Sequence, residues 1–295
     1  MKNALTYICS IIISVILVFT VISSVFGVVG KIHVSEERFT SLAVENDVPE
    51  KVYSELEKYF SNRSSSTSIP ANVYMDAIDT EYLTFIINRN IHNGFAALNS
   101  ESTENSVIDN PSLNASIEDF FNAYAEETGC EKDDKFNKKL EDTKSSAYNV
   151  IIDQCDIYKF NALEKHGVLS KLAFFYSKLD IVLLICVGAC FALTILLTLL
   201  NSGTKAGGMF WIGISLAIAG IIIIVPCSYF IVSDYFSAFT IKQPQIYTAY
   251  TSTLNALNKA MFSTSICIMT IGLCLTIIYR VLACENPDVK PAKVD

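Results

Sequence analysis

Apolar positions along the chain fall into two patterns. Four segments are continuously apolar. Between and beside them, apolar residues recur every three or four positions in otherwise polar sequence. The continuous runs are Leu5–Gly30, Ile181–Leu200, Met209–Val232 and Ala260–Tyr279, and none contains a charged residue. A bilayer core needs about 20 apolar residues at about 1.5 Å of rise each, so each run predicts a transmembrane helix. Aromatic residues stand near their ends, where an interfacial belt would place them: Tyr7, Phe174–Tyr176, Phe210–Trp211, Tyr235–Phe236 and Tyr279. The first run follows Lys2 and exceeds the roughly 7–15 residues of a cleaved signal core. It also has no Ala-x-Ala site after it, so it predicts an uncleaved signal anchor.

Residues 31–178 carry the periodic pattern. Asp47-Val-Pro-Glu50 predicts a capped helix start, followed by Val52, Leu56, Tyr59 and Phe60 at helical spacing. Ser61–Ser68 is Ser-rich and reads as a loop, and Pro70 as the start of a short helix through Ile78. Thr80–Leu98 carries the clearest stripe: Leu83, Ile87, Ile91, Phe95 and Leu98. Residues 99–112 read as a polar connection with a turn at Asn110-Pro111. Ser116-Ile-Glu-Asp119 reads as a second capping box, and Gly129 as a helix stop. Phe136, Leu140, Ala147 and Ile151 suggest a helix over roughly 132–157. Another short helix ends at His166-Gly167, and 168–178 leads into the second span. No alternating strand pattern competes, so the domain is expected to be all-α. In segment 233–259, Pro244 precedes Ile246, Tyr250, Leu254 and Leu257 on one helical face. That amphipathic helix is expected to dock on the helical domain, because it has few basic neighbours for anionic lipid. Residues 280–295 form a tail.

Charge sharpens the division. The whole chain is 51% hydrophobic and only 18% charged, with a net charge of −8. Residues 31–178 hold 15 Lys and Arg against 25 Asp and Glu, a net of −10, which leaves +2 for the rest. A basic face for nucleic acid is therefore absent, and the expected partner of the apolar half is the lipid bilayer. The short segments on the N-terminal side carry Lys2, Lys205, Arg280, Lys290 and Lys293, against Lys242 and Lys259 in 233–259. The positive-inside rule then puts both termini in the cytoplasm of a multi-pass cell-membrane protein, and 31–178 outside the cell.

The spans hold no Asp, Glu, Lys, Arg or His, which argues against a proton-coupled pump. Small residues recur four apart at Ser10/Ser14, Ser23/Gly27, Gly188/Ala192 and Gly213/Ala217. This spacing favours a packed four-helix bundle. Pro226 is expected to kink the third span.

Candidate chemistry is sparse. Five of the nine cysteines (Cys186, Cys190, Cys227, Cys267 and Cys274) sit in spans two to four as small apolar residues, beside Cys9 in the first and Cys284 beyond the last. Cys130 and Cys155 would lie about 37 Å apart if 132–157 is one helix, too far for a disulfide. His33, His92 and His166 read as solvated or capping groups. Glu126, Glu127, Glu131, Asp133 and Asp134 lack the spacing of a calcium loop. Asn62-Arg-Ser64 and Asn114-Ala-Ser116 match the glycosylation acceptor pattern. Catalytic and nucleotide-binding fingerprints are missing, so no catalytic, cofactor or metal residue is assigned and no cofactor is expected.

The stretches Ile69-Pro-Ala-Asn-Val-Tyr-Met-Asp-Ala-Ile78, Asp119-Phe-Phe-Asn-Ala-Tyr-Ala-Glu-Glu127 and Gln243-Pro-Gln-Ile-Tyr247 resemble uncharacterised four-span membrane proteins of Gram-positive bacteria. That resemblance implies a signal anchor, a helical extracytoplasmic domain and three closing helices, and no activity. The topology is also similar to that of bacterial lipoprotein intramolecular transacylases, whose Glu-x-x-His-Met-type motif this chain lacks. The expected function is to present the domain for binding or sensing a protein, peptide or envelope component, without catalysis. Two alternatives remain: an envelope-modifying enzyme using His92 or His166, and a small-solute channel or transporter subunit.

Overall fold

A computed structural model describes residues 2–101, 109–203 and 206–285. Its regular elements are twelve helices and one 3₁₀ turn; no strand occurs among the described residues. Two compact units divide the chain. One contains residues up to Val34, Lys178–Ala238 and Leu254 onward; the other contains Ser35–Ser177 and Phe239–Thr253.

The first unit holds α1 (Lys2–His33), α10 (Leu179–Leu200), α11 (Gly207–Val232) and the greater part of α12 (Pro244–Glu285). Among the described residues, four helical segments are long and apolar enough to cross a membrane: Ala4–His33, Val168–Leu200, Gly207–Val232 and Pro244–Ala283. The protein is an all-α polytopic chain. Leu17, Val18, Val21, Val25 and Val29 of α1 pack with Leu197, Ala219, Ile223, Cys227 and Met261. Polar groups tie the helices at intervals. Asn201 Nδ2 donates to Ser10 Oγ at 3.0 Å, and Ser215 Oγ to the Ser14 carbonyl at 3.3 Å. Lys31 pairs with Asp180. The other faces expose Phe19, Leu184, Val225 and Ile277, as lipid-facing surfaces do.

The small-residue pairs have different fates. Ser10 and Ser14 are buried, and Gly213 and Ala217 face α12 closely. A Cβ on Gly27 would meet Leu183 at 2.9 Å. Gly188 and Ala192 are exposed, and a Cβ on Gly188 would touch nothing. Spacing alone does not decide which face of a helix finds a partner. The helix hydrogen-bond pattern of α11 runs past Pro226 to Val232, and Asn258 Nδ2 donates to the neighbouring Cys227 carbonyl at 3.2 Å. Lys205, Lys290 and Lys293 lie outside the described residues.

The second unit contains α2 (Glu36–Glu45), α3 (Val48–Thr67), α4 (Asn72–Met75), α5 (Thr80–Leu98), α6 (Pro111–Thr128), α7 (Asp134–Cys155), α8 (Phe160–Lys165) and α9 (Val168–Tyr176). Helix α5 is central. It touches α2, α3, α7, α8 and α9. Its expected stripe is buried, and Ile86, Asn90 and Gly94 extend the buried face. Asp79 caps it by accepting from Tyr82 N at 2.7 Å. Val52 and Leu56 of α3 and Ile151 of α7, two helices that touch it, are fully buried, as are Leu113 and Ile117 of α6, which packs on α4 and α7.

Four local expectations are corrected. Asp47 precedes α3 with φ 53 and makes no side-chain cap bond, because capping needs an extended residue rather than a left-handed one. The Ser-rich stretch is helix, not loop: α3 runs through Thr67 and stops at left-handed Ser68. Its hydroxyls bond back within the helix, Ser64 to Ser61 O at 2.8 Å and Thr67 to Arg63 O at 3.0 Å. The short helix after Pro70 is one turn, Asn72–Met75, rather than a run to Ile78. Helix α6 begins at Pro111, because Asn110 accepts from Leu113 N at 3.1 Å and Pro fits the first turn. Ser116 therefore lies inside α6 and caps nothing; it donates to Val73 O at 2.6 Å.

The amphipathic stretch after Pro244 and the fourth span are one helix, α12. Its first turns belong to the helical domain. Tyr250 donates to the Tyr158 carbonyl at 2.8 Å, and Lys51 Nζ to Thr248 Oγ1 at 3.0 Å. Ile246 and Ala249 are buried there. Of the expected stripe, Ile246 and Tyr250 join the helical domain, whereas Leu254 and Leu257 belong to the first unit, where Leu257 packs against the apolar cluster.

Candidate functional site

The helical domain has two adjoining grooves between α3 and α7. One of about 420 Å³ is lined by Tyr59, Asp142, Ser145, Ser146, Asn149, Val150, Asp153 and Gln154. The other, about 350 Å³, shares Tyr59, Asp142, Ser146 and Val150 and adds Arg63 and Lys139. Helical periodicity builds both walls. Asp142, Ser145, Asn149 and Asp153 stand three or four apart along α7, and Tyr59, Arg63 and Thr67 four apart along α3. The Arg63 guanidinium lies 5.2 Å from the Tyr59 ring centroid, which leaves its donors at the groove edge. Beneath, Phe60 and Tyr74 stack at 4.2 Å. At one end Gln154 Oε1 accepts from Gln245 Nε2 at 2.6 Å; Gln245 is fully buried.

Chemically, the groove offers hydroxyls, amides, two carboxylates and two cations. That is a set for orienting hydrogen bonds. Sequence reading missed this site. Its signal was the polar stripe Asp142, Ser145, Asn149 and Asp153 of α7, on the side of the helix away from Ile151.

The residues singled out by sequence are placed elsewhere. His92 is exposed and its Nδ1 lies 3.0 Å from Glu36 Oε1. His33 Nδ1 is 3.2 Å from the Val29 carbonyl. His166 is exposed at the end of α8, where its backbone N–H donates to Ala162 O at 3.1 Å. Asp133 caps α7 by accepting from Phe136 N at 2.9 Å, while Glu126, Glu127, Glu131 and Asp134 are exposed. No three His, Cys, Asp or Glu side chains converge on a metal position among the described residues. Asn62 lies within α3 and Asn114 within α6. The Cys284 side chain is outside the described residues.

Helix α7 is unbroken, and Cys130 and Cys155 are free. Cys130 is exposed. Cys155 is fully buried, and burial pushes its thiol well above the ordinary range. A thiol reagent is expected to modify Cys130 in the native protein and Cys155 only after denaturation. Mass spectrometry of the labelled peptides checks this; native labelling of Cys155 would contradict it.

Asp156 is a buried carboxylate of the domain, 2% exposed. It accepts from Phe160 N at 2.9 Å and Asn161 N at 3.1 Å, and so holds the start of α8. Burial raises its pKa, partly opposed by those N–H groups and by Lys159. Tyr158 next to it is pushed up to about 12, mainly by burial. A carboxyl raised in the folded state stabilises fully below its unfolded value of about 3.9, and that contribution is lost as pH rises through the raised value. Relative to Asp156→Asn, the wild type should therefore lose stability as pH climbs from about 4 towards neutrality. Paired denaturant titrations measure the difference, and a pH-independent gap would refute the assignment.

Comparison with protein families, curated proteins and solved structures gives no match.

Proposed function

We propose that the four apolar helices hold the acidic helical domain outside the cell, with both termini in the cytoplasm. There it binds or senses a protein, peptide or envelope component without catalysis. In this reading the chain is one of the four-span envelope proteins of Gram-positive type that its sequence resembles. The α3/α7 groove carries the proposal: it is a polar concavity on a helical scaffold whose walls present oriented donors and acceptors. Placing the domain outside rests on the distribution of Lys and Arg.

A photoreactive residue at Asn149, in the full chain in intact cells, tests the groove. A discrete adduct is expected. Tyr59→Ala should weaken it, and a probe at exposed Glu127 should not form it. The reading fails if Asn149 gives no adduct, or the same products as Glu127. Orientation has its own test: a variant retaining only Cys130 should react with a membrane-impermeant maleimide in intact cells. Labelling that requires lysis would invert the topology.

A further inference from the structure

Helix α9 has two apolar faces. One is used inside the helical domain: Leu169 and Ala173 are buried, and the Tyr176 ring lies edge-on to Phe95 at 6.4 Å. The other is uncovered. Val168, Leu172, Phe174 and Phe175 are 38%, 45%, 63% and 70% exposed. Two aromatic rings held open to water at that level are unusual for a short surface helix, and such patches mark interaction sites. The basic residues Lys165 and Lys171 are also exposed, and Lys178 follows two residues after the helix ends. One acidic side chain, Glu164, is exposed in the same stretch.

Chain length says what covers this face. The apolar segment Val168–Leu200 is 33 residues long, whereas a hydrocarbon core of about 30 Å takes about 20. Ile181–Leu200 alone fills the core. α9 ends at Tyr176, with four residues between it and Ile181, so along the chain it borders the hydrocarbon. A helix that begins where the acyl chains end, with aromatic rings and lysines on one side, has the chemistry of the headgroup layer.

We propose that the exposed face of α9 is a binding surface for anionic phospholipid: Phe174 and Phe175 enter the headgroup–acyl boundary, and Lys165, Lys171 and Lys178 hold phosphate. Rings supply depth, and the ammonium groups supply selectivity for negatively charged lipid. The opposite face stays packed on α5, so the same nine residues serve both the domain core and the membrane surface.

The test uses the full chain in phosphatidylcholine vesicles with or without phosphatidylglycerol. Phe174→Trp is placed in a Trp211→Phe background, so that one indole reports. Blue-shifted emission quenched by brominated lipid is expected. At equal mole fraction, brominated phosphatidylglycerol should quench about two-fold more than brominated phosphatidylcholine. Replacing the three lysines by Gln should abolish that preference and leave the depth unchanged. Water-like emission quenched by acrylamide would overturn the proposal. So would equal quenching by both lipids, or emission that changes with the protein-to-lipid ratio and so reports a second copy of the chain. Because Phe174 is exposed, its substitution leaves the domain core intact.

Discussion

Gly272→Leu is expected to destabilise the membrane unit by about 3 kcal/mol, at the upper end of the overpacking range. Its position fixes the sign. A Cβ there would lie 2.5 Å from the Ala217 backbone nitrogen and 2.6 Å from the Gly213 carbonyl oxygen. Both are main-chain atoms of α11, and neither can rotate aside. The close approach is reciprocal: a Cβ on Gly213 would meet Gly272 O at 2.8 Å, and one on Gly220 would meet Ser265 O at 2.9 Å. Three glycines thus let α11 and α12 touch along their backbones. In lipid there is little hydrophobic gain from bringing helices together, so this contact is where the association energy resides. Forcing the helices apart at Gly272 loosens all three contacts at once. Gly188→Leu is the control, since a Cβ there meets nothing within 4 Å and should change stability by less than about 0.5 kcal/mol. Thermal unfolding in detergent separates the two. Equal midpoints for Gly272→Leu and wild type would show that α11 and α12 do not pack this way.

Gly94→Ala should also destabilise, against what helix propensity predicts. In an exposed helix this change gains about 1 kcal/mol. Gly94 is buried near the C-terminal end of α5, and an added Cβ would overlap the Phe160 ring, with Cε2 at 2.7 Å. That ring is held from several sides. Asp156 fixes the Phe160 backbone, and the ring packs against Phe95 at 5.9 Å and Tyr158 at 6.0 Å. The expected net effect is a loss of about 1–3 kcal/mol, read by urea unfolding. Phe160→Leu in the same chain should recover part of it, giving a non-additive double-mutant cycle. Additive losses would mean that the clash is not with Phe160.

These sites show how much the sequence discloses. The spans were legible because a charge-free run of twenty residues has few other uses. Helix α5 was legible at both ends, since its stripe is long and its flanks polar. The start of α6 was not, because Asn-Pro serves both as a turn and as a cap followed by a first-turn proline; the choice depends on Leu113 finding a core. The Ser-rich end of α3 is polar enough for a loop, yet its hydroxyls bond within the helix and Arg63 covers Tyr59. The groove was hidden for a different reason. It exists only where α3 meets α7, some eighty residues later in the chain, and no local pattern encodes that pairing. The small-residue pairs were visible, but not which of them would find a partner: Gly213 does and Gly188 does not.

The helical domain is assembled from two separated pieces of chain, Ser35–Ser177 and Phe239–Thr253. During synthesis this separation becomes a delay. About sixty residues, including two spans, must be made between the pieces. At 5–20 residues per second that takes roughly 3–12 s. Throughout it, Gln154, Tyr158 and Lys51 lack Gln245, Tyr250 and Thr248, and the surface that Ile246 and Ala249 will cover stays wet. The domain therefore cannot finish folding as it emerges; its last helix arrives only after the second and third spans have been made. A fragment cut at residue 178 would stay permanently at that waiting stage, and completion of the domain becomes a built-in report that those spans have been synthesised.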